Sequence, residues 1–309
     1  MKIAAFYSDN PFAGWVQTEG FAEILRRMGH EVVGIPVPCR GRPISKSDAE
    51  KINKPIDDCD LVIVSGPEWL RKWILTFYKG WDKLKCPKVG WYHESFIRDD
   101  FTLDYAQFEG MFDFHFFPDP HDAEKYKGEL LPLGVDAEIF RIYTNIQRDI
   151  EVGFIGLMYN KRAQFFEEVK KHLKGIEVQA RFATRNENGW WHPAIAVYDF
   201  DGLNVRKSME LLAKTYCRIR VFVTFPSMSH VLVAKVLESM SCGCRLVAPK
   251  QPLEIEHYFP YETPKGCAEQ ITAALAGEIT TGAMYVYRNH RMELRFDKIF
   301  AKVGLCVSA

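Results

Sequence analysis

Two stretches of the sequence gather residue types that handle anions and hydroxyl groups. The first is Gly156-Leu157-Met158-Tyr159-Asn160-Lys161-Arg162, between an apolar run and a helical one. Glycine lets a backbone approach a ligand closely, and Lys161 with Arg162 adds two cations to a helix start that already favours anions. Such a turn can hold a diphosphate, or it can be a solvated basic pair. The second stretch runs from Val223 to Cys244. Ser227 and Ser229 offer hydroxyls and helix caps there. Glu238 follows Lys235 by three residues on the same side of a helix, where a carboxylate can accept both hydroxyls of a ribose or simply pair with that lysine. His93-Glu94 closes the apolar run KVGWY, a place for a group that orients a hydroxyl or moves a proton, or for one that only caps the sheet. Gly14 ends a turn-rich loop that can approach phosphates, and Arg181 and Arg185 reach the same ligand if their strand end faces it.

Other chemistries are poorly served. Eight cysteines are scattered without a CxxC pair, and Cys242 and Cys244 stand too close together to grip one metal, so they read as reduced thiols of a cytoplasmic protein. His115, inside an apolar strand, reads as a core histidine and not as a ligand. Trp190-Trp191-His192, in a polar loop, can stack on a base or sugar or pack beneath the loop. The first strand is followed by SDNPFAG and not by G-x-G-x-x-G, which argues against a dinucleotide dehydrogenase. Forty basic residues balance forty acidic ones, which weakens the case for a partner held mainly by charge, such as bulk nucleic acid or an anionic membrane. No run approaches the ~18 to 20 apolar residues that span a bilayer, and the start MKIAAFYSDN turns polar too early for a signal peptide. A protein without a membrane span is expected.

The elements that must position these residues alternate strand with helix. Apolar runs at Lys2–Tyr7, Glu31–Pro36, Asp60–Ser65, Lys88–Tyr92 and Phe112–Phe117 predict parallel strands buried on both faces, with helices over Thr18–Met28, Glu68–Tyr78 and His121–Lys127. The series then restarts. Strands are predicted over Ile150–Gly156, Ile176–Phe182, Arg220–Phe225 and Arg245–Ala248, and helices over Ala163–Lys174, Val205–Tyr216, Val231–Ser241 and Cys267–Ala276. The expected fold class is α/β, with two Rossmann-like doubly wound parallel-sheet domains facing one another across a cleft. The expected divisions are residues 1–143, residues 144–286 and a C-terminal helix in 287–309 that can cross back to the first domain. Its basic residues Arg288, His290, Arg291 and Arg295 read as a solvated face or a contact for an anionic acceptor.

Three motifs resemble the GT-B glycosyltransferases of the large retaining class that uses nucleotide-sugar donors. PSMSHVLVAKVLESMSCGCRLVAP is similar to the donor-site signature, in which a Pro-Ser loop precedes a helix ending in Glu-Ala-Met-Ala-Cys-Gly. LPLGVDAEIF resembles the hinge-region motif Pro-x-Gly-Val-Asp-x-x-x-Phe. VGFIGLMYNKRAQFF resembles the first strand and loop of the donor domain, nearest the branch related to spore-maturation glycosyltransferases. The motifs stand in the family's order between Leu131 and Val247.

The resemblance implies a transfer of a sugar, such as a hexose, from a nucleoside diphosphate, UDP-glucose being the expected kind of donor, to an acceptor hydroxyl, with retention and without a metal. Residue by residue, it places Lys161 and Arg162 at the diphosphate and Glu238 at the ribose. Gly14, Gly156, Ser227, Ser229 and His230 fall around phosphate and sugar, with Arg181 and Arg185 as further candidates. His93 and Glu94 stand on the catalytic side. No Asp-x-Asp pair stands in a suitable loop, which agrees with a reaction needing no metal or other cofactor. The sequence departs from the pattern at His230, where the class carries a first glutamate, and at Val231 and Val233, where glycines are common. The acceptor can be a glycan, a small molecule or a modified DNA base. The last case corresponds to a phage-type glucosyltransferase acting on hydroxymethylated bases, and a non-catalytic nucleotide-sugar binder is the remaining alternative.

Overall fold

The computed structural model of the 309-residue chain describes residues 1–9, 14–38, 52, 54–78, 80–96, 103–157, 160–185, 191–193, 205–227, 231–277 and 282–305. The side chains at 157, 160, 180–185 and 191–193 stand outside that description. The described residues fall into two compact units: residues 1–136, 231–232 and 291–305 form one, and residues 137–227 and 233–290 the other.

The first unit is built from β1 (Lys2–Ser8), α1 (Glu19–Arg27), β2 (Glu31–Val37), β3 (Leu61–Ser65), α2 (Pro67–Phe77), β4 (Lys88–Trp91), β5 (Phe114–Phe117), α3 (Pro120–Lys125) and β6 (Glu129–Leu130). All six strands are parallel, in the order β2-β1-β3-β4-β5-β6. Every residue of the β3 run LVIVS is buried, without polar alternation, because helices cover both faces of such a sheet. Phe21, Ile24 and Leu25 form the apolar stripe of α1, which the spacing in the sequence predicts.

The second unit comprises β7 (Ile150–Leu157), α4 (Asn160–His172), β8 (Val178–Arg185), β9 (Trp191–Pro193), α5 (Val205–Arg218), β10 (Ile219–Val223), α6 (Ala234–Ser241), β11 (Arg245–Pro249), β12 (Tyr258–Tyr261), α7 (Pro264–Ala276) and α8 (Gly282–Asn289). Its order is β12-β11-β10-β7-β8-β9. Counted within the unit from β9, that is third, second, first, fourth, fifth, sixth, so the winding reverses between β7 and β10. In open α/β sheets a ligand crevice opens at such a reversal, beyond the carboxyl ends of the strands.

The structure differs from the sequence expectation in several places. β6, β9 and β12 are additional strands. β6 is two exposed residues, β12 contains Pro260 and occupies an edge, and β9 pairs antiparallel with β8, so the second sheet is not wholly parallel. Trp191 and His192 therefore stand in a strand and not in a loop. The tail, expected as one helix, is two: α8 and then α9 (Met292–Lys302). Between them Arg291 is extended (φ −64°, ψ 148°) and bridges Val135, while the Met292 amide donates to the Val135 carbonyl at 3.0 Å. A helix cannot run through a residue so paired.

α9 packs on the first sheet's side of the molecule. The Phe296 ring lies 5.1 Å from Phe21 and 6.0 Å from Trp91, and Arg295 donates to the Pro132 carbonyl. Arg295 is buried and spends its guanidinium inside the protein, so the basic stretch of the tail is not a uniform solvated face. Asp136, the aspartate of the GVD motif, is wholly buried. It accepts from the Trp15 indole and from Arg27, both at 2.7 Å. Removing a buried carboxylate strands both donors. Asp136→Ala is therefore expected to lower stability by about 3 kcal/mol in urea unfolding, and Asp136→Asn, which keeps an acceptor for Trp15, by less.

Candidate functional site

In the second unit, the β7–β10 reversal brings together the two stretches that the sequence marks out. β7 runs through Phe154 and Gly156 into the turn before α4, whose first turn carries Lys161 and Arg162. β10 continues as Thr224-Phe225-Pro226-Ser227, and α6 carries Lys235 and Glu238. Arg162 is buried and donates to the Pro226 carbonyl at 3.2 Å and the Phe225 carbonyl at 3.5 Å. Its guanidinium thus ties the loop after β10 to the start of α4. The Tyr261 hydroxyl donates to the Thr224 carbonyl and holds the same loop from β12. Lys161 is exposed beside it, and Ser227 is half-buried.

Two cations converge on one aromatic ring. The Arg162 guanidinium carbon lies 5.7 Å, and the Lys235 ammonium 5.6 Å, from the centroid of Phe154. Each gains from the ring's negative face. Gly156 makes room for the ammonium, since a Cβ there would stand 2.5 Å from Lys235 Nζ. Among the described residues no carboxylate lies within ion-pairing distance of that ammonium. The residue is partly exposed, but its charged end lies deep among protein atoms. Burial first, then repulsion from Arg162, lowers the Lys235 pKa to about 7 against a smaller opposing pull from Glu238.

Glu238 shows the opposite displacement. It is buried, and burial raises its pKa to about 7, while Lys235 and a hydrogen bond from the Tyr216 hydroxyl pull the other way. A cation and an acid one helical turn apart, each displaced toward neutrality, make a site electrostatically incomplete without a ligand. An anion near Lys235 and Arg162 would restore the ammonium. Hydroxyl donors at Glu238 would favour its carboxylate.

The first unit has a second cluster at the carboxyl ends of β3 and β4. His93 Nε2 lies 3.1 Å from the Ser65 hydroxyl, and the His93 amide donates to Glu68 Oε1 at 2.8 Å. Gly66, left-handed at φ +77°, opens α2 and leaves space for the imidazole: a Cβ there would press to 3.2 Å from Nδ1. Burial holds the His93 pKa down at about 3. The imidazole is therefore neutral at physiological pH, suited to exchanging hydrogen bonds and not to cycling a proton from solution. This limits the expected proton-transfer role of His93. Glu94 follows it, half-buried.

No family model matches the sequence, and no curated protein matches it. Solved structures do. An alpha-glucosyltransferase in complex with UDP and a 13-mer DNA containing a central A:G mismatch superposes with a TM-score of 0.68 at 16% identity, over 98% of this chain and 100% of the other. Anabaena HepE in complex with UDP and glucose gives 0.64 at 11%, over 99% and 100%. AviGT4, a glycosyltransferase involved in avilamycin A biosynthesis, gives 0.62 at 13%, over 98% and 97%.

The chain has the GT-B fold. Within it, Gly156 and Arg162 meet Lys235 around the Phe154 ring, Glu238 follows Lys235 by one turn of α6, and Lys161 and Ser227 stand on the flanking turns. His93 and Glu94 belong to the other unit's cluster. Gly14, also in the first unit, has its amide bonded to Gln17 Oε1 at 3.0 Å. Ser229 and His230 lie outside the described residues, and Arg181 and Arg185 are described only as backbone of β8. Among the described residues no group of three side chains has the arrangement of a metal site, and no helix is long and apolar enough to cross a membrane.

Lys235 and Glu68 are the residues that reading the sequence leaves out. Lys235 reads as a mere partner for Glu238, although a lone cation within VLVAKVL is itself a signal, because it falls on the helix face that must be buried. Glu68, in the first turn of α2, reads as an ordinary acid at a helix start. The Lys235 pKa is lower in the folded chain than in the unfolded one, so its burial costs stability below pH 7, and that cost fades as pH rises toward the unfolded value. Lys235→Met is therefore expected to raise the ligand-free melting temperature by about 2 °C at pH 6 to 7, with the gain shrinking toward pH 9 in a thermal-shift series.

Proposed function

We propose that this GT-B chain is a glycosyltransferase that binds a UDP-sugar on its second unit and transfers the sugar to an acceptor hydroxyl. The observation that carries this reading is the Lys235–Glu238 pair beside Arg162: two cations over one ring, with no carboxylate among the described residues within ion-pairing distance of the ammonium, and a buried acid one turn along the same helix. In this reading Lys235 and Lys161 neutralise the diphosphate and Arg162 holds the loop that receives it. Glu238 accepts the ribose hydroxyls, and Ser227, Ser229, His230 and Gly156 line phosphate and sugar. The start of α6 lends its amides to the departing diphosphate. With those charges in place the leaving group needs no metal, and retention follows the class that the motifs resemble. Two proteins of similar fold are complexes with UDP, one of them also with glucose, which supports this ligand.

A cytoplasmic enzyme with a small-molecule or glycan acceptor is the reading we favour. DNA as acceptor is the second reading, since the alpha-glucosyltransferase of similar fold is bound to DNA. Zero net charge speaks against it, and gel retardation with duplex DNA at low salt separates the two.

The direct test is a titration with UDP and UDP-glucose. Glu238→Ala removes two charge-assisted hydrogen bonds worth ~1.5 to 3 kcal/mol each, so UDP affinity should fall by at least about tenfold in calorimetry. Uridine should lose affinity as well, since the ribose is the common part, whereas pyrophosphate should not. Unchanged UDP affinity in Glu238→Ala would remove the ribose assignment.

A further inference from the structure

Glu68 stands outside every role assigned so far, yet it is the most confined acid of the first unit's cluster. It occupies the first turn of α2, is 8% exposed, and directs Oε1 at the His93 amide. Among the described residues its other oxygen, Oε2, is buried without a hydrogen-bond partner, and so is the hydroxyl of Ser95 two residues beyond His93. A buried carboxylate with an orphan oxygen is costly, while a carboxylic acid there costs far less. Burial is also the first cause that lifts its pKa to about 8, opposed by the His93 amide, by its own and by that of Glu94, and reinforced by the nearby Glu94 side chain. The titratable groups facing it are Glu94, His93 and Tyr92. Glu94 is acidic, His93 is neutral by burial, and the Tyr92 phenol is pushed far above its ordinary range by burial. Among the described residues none supplies a positive charge that would hold Glu68 ionised.

We propose that Glu68 is the positioning residue of this cluster: it clamps the chain leaving β4 so that His93, Ser65 and the Glu68 carboxyl form one uncharged hydrogen-bonding set for the hydroxyl of the acceptor. The inference rests on the glycosyl-transfer reading for the nature of the acceptor, and on the geometry alone for the clamp. An uncharged set matches a hydroxyl and offers nothing to a phosphate or carboxylate. The acceptor site therefore selects a neutral hydroxyl compound, in contrast to the cationic edge of the other unit. Glu68 acts through His93, and ionisation ends the uncharged set, because it leaves a buried negative charge held only by backbone amides.

The experiment uses the full chain and its Glu68→Ala and Glu68→Gln variants, with UDP-glucose as donor and water standing in for the acceptor. UDP release at saturating donor is followed from pH 6 to pH 9 beside UDP affinity. Glu68→Ala is expected to slow release by about tenfold or more at pH 7, the cost of a misplaced group, with UDP affinity within about twofold of wild type. Glu68→Gln, which keeps an acceptor for the His93 amide and never ionises, is expected to restore most of the rate. The ratio of wild-type to Glu68→Gln rate should be level below about pH 7.5 and fall above pH 8 as the wild-type acid loses its proton. A Glu68→Ala protein that releases UDP at the wild-type rate, or a ratio level through pH 9, would overturn the proposal. If the wild type neither binds UDP nor releases it, the glycosyl-transfer reading fails instead. The clamp is then judged from the His93 imidazole ¹⁵N resonances, which must shift in Glu68→Ala and return in Glu68→Gln; resonances unmoved in Glu68→Ala would refute it.

Discussion

The second unit is organised around an ammonium group that has no counter-ion among the described residues. Lys235 is held over Phe154, against Gly156 and beside Arg162, where water cannot solvate it fully and no carboxylate among the described residues matches it at contact distance. Two like charges sharing one aromatic ring repel, and the ring compensates only in part. A fold keeps such an arrangement when something else supplies the missing charge. Glu238 adds the complementary half: an acid pushed toward neutrality by the same burial, waiting for donors that would ionise it.

The reversal of winding between β7 and β10 is what makes this arrangement possible. It sends α4 and α6 away from adjacent strand ends, so residues about seventy positions apart in sequence meet at one edge. Arg162 stabilises the meeting by bonding the Phe225 and Pro226 carbonyls, which leaves Lys235 as the more available cation. The first unit repeats the principle with opposite chemistry. There Ser65 and His93 stand at neighbouring strand ends, with Glu68 in the first turn of the helix that follows, and burial pushes both the acid and the imidazole toward their uncharged forms. In the reading proposed above, one sheet edge takes an anion and the other a neutral hydroxyl.

Much of the frame is legible in the sequence, because buried parallel strands and amphipathic helices have strong periods. The runs that become β1, β3, β7 and β10 are continuous apolar stretches bounded by turns, and the ESMSCG segment marks α6 and its acid directly. The edge strands are not legible, since two-residue β6 and Pro-containing β12 carry no period of their own and exist through their neighbours. The break between α8 and α9 is hidden for the same reason: it is set by the pairing of Arg291 with Val135, far away in the chain. At the sites, charge type and position can be read, but its degree of burial cannot. Lys235 therefore reads as a surface partner of Glu238, and His93 as a group that orients a hydroxyl, moves a proton or caps the sheet, while packing shows the first without a counter-ion among the described residues and the second held neutral.

If the Lys235 ammonium is the charge that a pyrophosphate completes, the pH dependence of UDP affinity in wild type against Lys235→Met shows it most directly. Binding to the wild type must reprotonate a lysine whose free pKa is about 7, so calorimetry from pH 6 to pH 9 should show the affinity ratio of the two proteins greatest near pH 6. It should shrink above pH 7, by at most about tenfold per pH unit. A ratio near one at pH 6, or one that does not change with pH, would contradict the account.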